Sequence, residues 1–178
     1  QIQDSTTFLE ADRVATDEVT GFGEASGSVI YKDTAQGITL LANNLKSNKK
    51  SNSFLATEKP VMILKQEKDS IYIAADTFYS AKLSELKKTR VVPVILDSVT
   101  VPLIDTVYNA KDSSRDRFIE AYAHVKIFSD SLQAIGDSLF YAADDSVFRL
   151  FKSPVVWAQE SQVSGDTIYL YTAEKKPK

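Results

Sequence analysis

The sequence has no cysteine and a single histidine, His124. Without thiols there is no disulfide framework, no Cys-ligated zinc or iron–sulfur site and no thiol nucleophile. One imidazole excludes a multi-histidine metal site and leaves His124 as the sole candidate base for a Ser-His-Asp triad. We therefore expect neither a metal nor another cofactor.

Long apolar runs and excess positive charge are also missing. The longest apolar run, residues 91–96, is far shorter than the roughly 18–20 residues of a membrane-spanning helix. The 21 Lys and Arg residues are outnumbered by 24 Asp and Glu, for a net charge of −3, so nucleic acid is not an expected partner. No signal peptide is recognisable, and Gln1 is compatible with the start of a mature chain after cleavage.

The pattern that is present alternates apolar and polar residues. It runs through residues 70–75, 117–128 and 167–172, which are rich in β-branched and aromatic side chains. Turn residues separate such runs at short intervals, which is typical of many short strands. Helical spacing is weak and is best at residues 81–87. The 178 residues predict a single all-β domain, 1–178.

A short motif recurs along the chain: a small residue, then Asp or Asn, then any residue, then an apolar one. Its second positions are Asp12, Asn43, Asp76, Asp137 and Asp166, at spacings of 31, 33, 61 and 29 residues. A small residue lets a strand bend, and Asp or Asn can hydrogen-bond its own backbone there. A period near 30 therefore predicts a stack of bent strands. One acid per repeat does not resemble a calcium loop.

A longer internal match divides the chain into two halves. Residues 54–63 align with residues 148–157 at a constant offset of 94. We assign the repeat halves to 7–81 and 117–173 and treat 82–116 as an insertion. Within it we predict a hairpin at 91–108, with Ile104-Asp105 as an alternative degenerate sixth repeat unit.

Alternation also predicts which side chains face the interior of the stack. In a closed sandwich they form an ordinary core, whereas in a splayed stack they line a groove wide enough for an alkyl chain. The predicted trough residues are Val29, Tyr31, Ile38, Leu40, Phe54, Ile63, Ile71, Ile73, Val125, Ile127, Leu132, Phe148, Leu150, Trp157, Ile168 and Leu170.

These residues in this order resemble the OstA-like family, the LptA-type lipopolysaccharide-transport domains of Gram-negative bacteria. The resemblance lies in residues 8–14, 25–31, 37–45 and 69–78, and covers about 7–80 and 117–172. Residues 121–139 look like the variant of Bacteroidetes-type members. The resemblance implies a stacked antiparallel β-jellyroll folded like a taco, a location in the periplasm, and a possible association with the outer membrane. It also implies acyl chains of lipopolysaccharide in the trough, and end-to-end assembly through edge strands with itself or with other OstA-like components.

The insertion and the acidic net charge depart from that pattern. A basic rim for a phosphorylated lipid could come from Lys46, Lys49 and Lys50, or from Lys87, Lys88 and Arg90, although surface solvation explains both clusters more simply. Three other functions stay open. They are a structural strand stack without ligand, a weakly supported enzyme using Glu120 and His124, and a carbohydrate-binding module using Trp157 and tyrosines. For Glu120 and His124 we expect outward, solvated positions.

Overall fold

The structure, a computed structural model, describes residues 2–3, 6–35, 37–65, 69–90 and 116–171. Within these ranges there are fifteen strands and one short helix, α1 (Leu83–Thr89), so the all-β prediction is confirmed. The strands are β1 (Ile2–Gln3), β2 (Thr7–Glu10), β3 (Arg13–Asp17), β4 (Phe22–Asp33), β5 (Ile38–Asn48), β6 (Ser53–Thr57), β7 (Val61–Lys65), β8 (Ser70–Ala74), β9 (Thr77–Ala81), β10 (Phe118–Phe128), β11 (Leu132–Ala142), β12 (Val147–Phe151), β13 (Val155–Ala158), β14 (Ser161–Ser164) and β15 (Thr167–Tyr171).

All strands belong to one antiparallel ladder that folds into two layers. Four strands, β4, β5, β10 and β11, are long enough to belong to both layers. One half of each pairs with strands of the first layer, and the other half pairs with strands of the second layer. Bulges mark this division in β4 between Ser26 and Val29, and in β10 between Tyr122 and Val125, where a bulge bends a strand and increases its twist. Sheet I contains β3, β6, β9, β12, β15 and half of each long strand. Sheet II contains β1, β2, β7, β8, β13, β14 and the other halves.

The recurring Asp and Asn residues lie at the corners where the chain passes from one sheet to the other. Each corner joins two strand segments, and we call such a pair of segments a rung. Asp12 follows β2, Asp76 follows β8, and Asn43 and Asp137 lie inside β5 and β11. The small residue before each Asp or Asn therefore sits at the bend, as the motif predicted.

A second kind of corner alternates with the first. It is built from two consecutive residues with φ between 48° and 75°, namely Gly27-Ser28, Glu58-Lys59, Ala123-His124 and Lys152-Ser153. The two kinds are hydrogen-bonded to each other along the stack. The backbone N–H of Asp12 donates to the Gly27 carbonyl at 2.9 Å, and that of Asp76 donates to the Ala123 carbonyl at 3.0 Å. The Asn43 side-chain amide donates to the Glu58 carbonyl at 3.2 Å.

The insertion leaves the ladder intact. Strands β9 and β10, which flank it, pair directly, with Ala81 opposite Phe118. The 61-residue spacing between Asp76 and Asp137 is therefore one repeat plus an insertion, and the described ladder has no rung missing there. The hairpin predicted at 91–108 and the alternative unit at Ile104-Asp105 lie outside the described residues.

Helix α1, close to the position predicted from residues 81–87, covers part of the outer face of sheet I. Its Leu83 is fully buried against Phe118 and Phe140. Asp116 accepts hydrogen bonds from the backbone N–H and the hydroxyl of Ser84, both at 2.7 Å, which joins the two ends of the insertion at the first turn of α1.

Just beyond α1, Arg90 lies over the ring of Phe140, with its guanidinium carbon 5.4 Å from the ring centroid, and donates to the Glu120 carboxylate at 2.5 Å. Glu120 is buried, so its expected solvated position is wrong, because residues 82–90 cover this face.

Candidate functional site: an apolar trough between the sheets

The inner face of sheet I carries one continuous row of directly paired apolar residues. We call it the sheet I row, and its members are Val14, Ala25, Leu45, Ala56, Phe78, Ala121, Leu139, Leu150 and Ile168. Large and small side chains alternate over most of its length. Such alternation lets opposing layers interdigitate, because each small residue leaves room for a large one from the other sheet.

Sheet II contributes a second row that runs in the same direction. The sheet II row consists of Leu9, Tyr31, Leu40, Met62, Ile73, Ile127, Ala134, Val156 and Val163. All members of the two rows except Val163 belong to a single hydrophobic cluster or pack directly against it. Between the sheets lies an apolar volume, which we call the trough, whose long axis follows the stacking direction.

Exposure differs along the trough. In its middle, Leu40, Met62 and Ile73 have no accessible surface. At the last rung Ile168 is only partly buried, and Val163 on the neighbouring edge strand is 56% exposed. The two sheets therefore meet tightly in the middle, while apolar surface at the end of the stack is open to solvent.

Fourteen of the sixteen predicted trough residues lie in this cluster or against it. Tyr31, Leu132, Ile168 and Leu170 are its partly buried members. The inward positions predicted for Ile63 and Trp157 are wrong. Ile63 is paired with exposed Tyr72 on the outer face, and Trp157 is 38% exposed with its indole N–H bonded to Gln162 at 2.9 Å.

The reason for both errors is the same. Residues 61–64 and 155–158 are apolar at every position, so they contain no alternation from which the phase of the strand can be read. The inward residues are the neighbours, Met62 and Val156, which are 0% and 5% exposed. Because the two segments are related by the offset of 94, one mistake in phase occurred twice.

The sequence did contain a signal for residues that the prediction omitted. The apolar residue that closes each motif is the member of the sheet I row next to the corner, namely Val14, Leu45, Phe78, Leu139 and Ile168. A residue two positions after a bend points to the same face in every repeat, since side chains alternate along a strand. Only Ile168 of this set was among the predicted trough residues.

The ends of the rungs opposite the corners, which we call the lip, are more polar. Arg117 lies at the lip of sheet I and Asp33 at the lip of sheet II, and both are buried. Burial raises the pKa of the nearby Tyr31 hydroxyl, the negative charge of Asp33 adds to this, and the positive charge of Arg117 opposes it. A negative charge, Asp33, and a positive charge, Arg117, therefore both influence Tyr31 at the lip.

The two residues considered for an enzyme do not form a joint site. His124 lies at an exposed corner, where its Nδ1 is 2.8 Å from the carboxylate of Asp76. Glu120 is paired with Arg90 on the outer face of sheet I. In the part of the chain that the structure covers, no three side chains are arranged to hold a metal ion. No helix within the described ranges is long and apolar enough to cross a membrane.

Comparison with known proteins finds similarity in structure and none in sequence. No protein-family model matches the chain, and no curated protein matches it by sequence. Among solved structures, the chain is similar to LptH from Pseudomonas aeruginosa, described as the LptA-homologous periplasmic component of the lipopolysaccharide transport device. The TM-score is 0.56 and the identity 11%, over 94% of this chain and 95% of LptH. The chain therefore has an LptA-like β-jellyroll fold.

Proposed function

We propose that this protein is a non-enzymatic periplasmic module that holds acyl chains of lipopolysaccharide in the trough and joins similar domains through its edge strands. The observation that carries the proposal is the pair of continuous apolar rows inside an open-ended stack. The likeness to LptH, itself a periplasmic transport component, supports the same reading. The assignment to a Bacteroidetes-type branch rests on residues 121–139 and is part of the proposal, as is an association with the outer membrane.

Apolar burial alone is sufficient to hold such a ligand. At about 0.8 kcal/mol for each buried methylene, an acyl chain of roughly twelve carbons contributes on the order of 10 kcal/mol before the costs of association and ordering. The trough supplies apolar contacts on both sides, and its tightly packed middle implies that the sheets move apart when a chain enters. No catalytic group is needed for this role.

Site-specific photo-crosslinking tests the position of the ligand. A diazirine amino acid at Ile73, which is fully buried in the sheet II row, should label with lipopolysaccharide. The same group at Tyr72, the preceding residue on the outer face and 44% exposed, should not. Ile127 and the outward Phe128 form a second matched pair on β10. Equal labelling from inward and outward positions would place the lipid elsewhere, and fractionation of the expressing cells checks the periplasmic location.

The two last strands support assembly through the ends of the stack. Strand β14 pairs only with β13 and β15 only with β12 among the described strands, so each has one unpaired edge. Their sequences, SQVS and TIYLY, contain neither a charge nor a proline. Natural edge strands usually carry such residues to prevent pairing with another chain. The end strand β3, in contrast, carries Arg13 and Asp17.

A charged residue on the open edge tests this part of the proposal. Val163→Lys on β14 should reduce concentration-dependent association in sedimentation velocity without unfolding the protein, because Val163 is 56% exposed. Val19→Lys is the control, since Val19 is 82% exposed in the turn between β3 and β4. Unchanged association in Val163→Lys would exclude the β14 edge as an interface.

The packed middle of the trough favours one other function, a structural stack that binds no lipid. The complete burial of Leu40, Met62 and Ile73 is what a closed core would show. Sedimentation with and without lipopolysaccharide separates the two. Assembly without uptake of labelled lipid supports the structural role, whereas uptake at the inward positions supports transport.

A further inference from the structure

The lip of sheet I contains a buried cation whose side-chain partners are neutral. Arg117 is 6% exposed. Its guanidinium donates to the hydroxyl of Ser80 at 3.0 Å and to the side-chain oxygen of Asn52 at 2.9 Å, and lies 5.8 Å from the centroid of the Phe54 ring. In the described ranges, no carboxylate oxygen lies within 4.0 Å of its nitrogen atoms.

Such a group is costly to bury unless an opposite charge reaches it. Buried ionised side chains are normally paired, because neutral oxygens replace only part of the lost hydration. A guanidinium has five N–H donors in a planar fork that matches the oxygens of a phosphate or carboxylate. Ser80 and Asn52 accept from two of its nitrogen atoms. Arg117 therefore has the geometry of an anion receptor.

The surroundings of Arg117 indicate what kind of anion fits. On one side lies Phe54, a buried member of the apolar cluster, and Ile119 of the same cluster lies two residues along β10. On the other side Asn52 belongs to the exposed turn between β5 and β6, which also carries Lys49 and Lys50. The guanidinium thus stands between the trough and a solvent-facing turn rich in lysine.

We propose that Arg117 receives the phosphate headgroup of an amphiphile whose alkyl chain lies in the trough. This inference rests on the proposed function, because the trough has to accept the alkyl chain. The exposed turn 49–52 gives the headgroup access from solvent, and Asn52 is the partner it displaces.

Calorimetric titration of the full chain with three probes tests this site. Dodecyl phosphate carries both tail and charge, dodecyl maltoside carries a tail with a neutral head, and inorganic phosphate carries the charge alone. We expect the wild-type protein to bind dodecyl phosphate at least about tenfold more tightly than the maltoside, as charge-assisted pairing with arginine implies. Displacement of dodecyl phosphate by inorganic phosphate would show that free anion also occupies the site.

Two variants should remove the preference for charge. Arg117→Gln removes the receptor, and Asn52→Asp places a carboxylate beside Arg117 without a change of size, in an exposed turn where folding is not at risk. Both should bring the two affinities close together by weakening dodecyl phosphate while leaving the maltoside unchanged. Arg13→Gln, on the exposed surface of β3, is the control and should keep the wild-type preference.

A preference for dodecyl phosphate that persists in Asn52→Asp and Arg117→Gln would overturn the proposal. So would equal affinity of the wild-type protein for the two amphiphiles, although that result would leave the apolar trough in place. If neither amphiphile binds, the proposed function fails. Phosphate binding followed by NMR in the wild-type and Arg117→Gln proteins then decides the anion site by itself, and its absence rejects the site.

Discussion

Alanine substitution of two adjacent residues on β7, one at a time, tests which face of the strand lines the trough. Met62 has no accessible surface and is paired with Leu40 and Ile73, whereas Ile63 is half-buried on the outer face opposite Tyr72. Met62→Ala should remove a fully buried side chain and leave a cavity, at about 3 kcal/mol of unfolding free energy. Ile63→Ala removes only partly buried methyl groups, and water can occupy the space they leave. It should therefore lower the unfolding free energy by about 1 kcal/mol.

Urea denaturation followed by circular dichroism measures both free energies. With a slope of about 2 kcal/mol per molar urea, Met62→Ala should lower the midpoint by about 1.5 M and Ile63→Ala by about 0.5 M. The related pair on β13 removes any dependence on residue type, since Val155 and Val156 are chemically identical and Val156 is the buried one. Val156→Ala should therefore be the more destabilising of the two. Equal losses within either pair, or a larger loss at the outward position, would refute the assigned phase and the two rows built on it.

Three further predictions concern other parts of the fold. Gly27→Ala should destabilise by about 2 kcal/mol, because φ is +75° and the added Cβ would collide with the Asp12 carboxylate; a thermal melt as stable as wild type would contradict this. Asp145→Ala should cost about 3 kcal/mol in urea, because it removes a carboxylate that binds the buried Arg149 guanidinium, and a loss below 1 kcal/mol would show that the pair is replaceable. Partial burial of Tyr122, which is still 46% exposed, and its hydrogen bond to the Glu120 carboxylate raise the pKa of Tyr122 to about 12, so its contribution to stability should be complete below pH 10 and decline toward pH 12. Absorbance at 295 nm should then show a late-titrating component that is smaller by one tyrosine in Tyr122→Phe, and an unchanged titration curve would exclude the assignment.

The corners were predictable because their chemistry is local. A small residue next to Asp or Asn has a direct effect on the backbone, and five copies at similar spacing gave both the bend and the repeat. The second kind of corner was not predictable as a class, since no residue type is common to Gly27-Ser28, Glu58-Lys59, Ala123-His124 and Lys152-Ser153. Their φ values are imposed by the pairing of neighbouring rungs, which overrides local preference.

The interior was predictable where alternation is clean and was not where every residue is apolar. Ile71 and Ile73 are separated by an exposed tyrosine and were placed correctly. The outer face of sheet I was missed for a different reason. The alternation within β10 predicts a solvated position for Glu120. Its burial depends instead on Arg90 and α1, which belong to the insertion, and no short-range pattern predicts that contact.

Because neighbouring strands in a sheet lie about 4.8 Å apart, the number of rungs sets the length of this molecule along its stacking axis. Nine strand segments follow one another across sheet I, from β3 through β4, β5, β6, β9, β10, β11 and β12 to β15, a span of about 40 Å at that spacing. Duplication of a hairpin would lengthen this span in fixed steps of about 10 Å. Extra chain inserted between two strands leaves this span unchanged as long as the flanking strands still pair directly, as β9 and β10 do, so the length of the stack and the size of its insertions can vary independently.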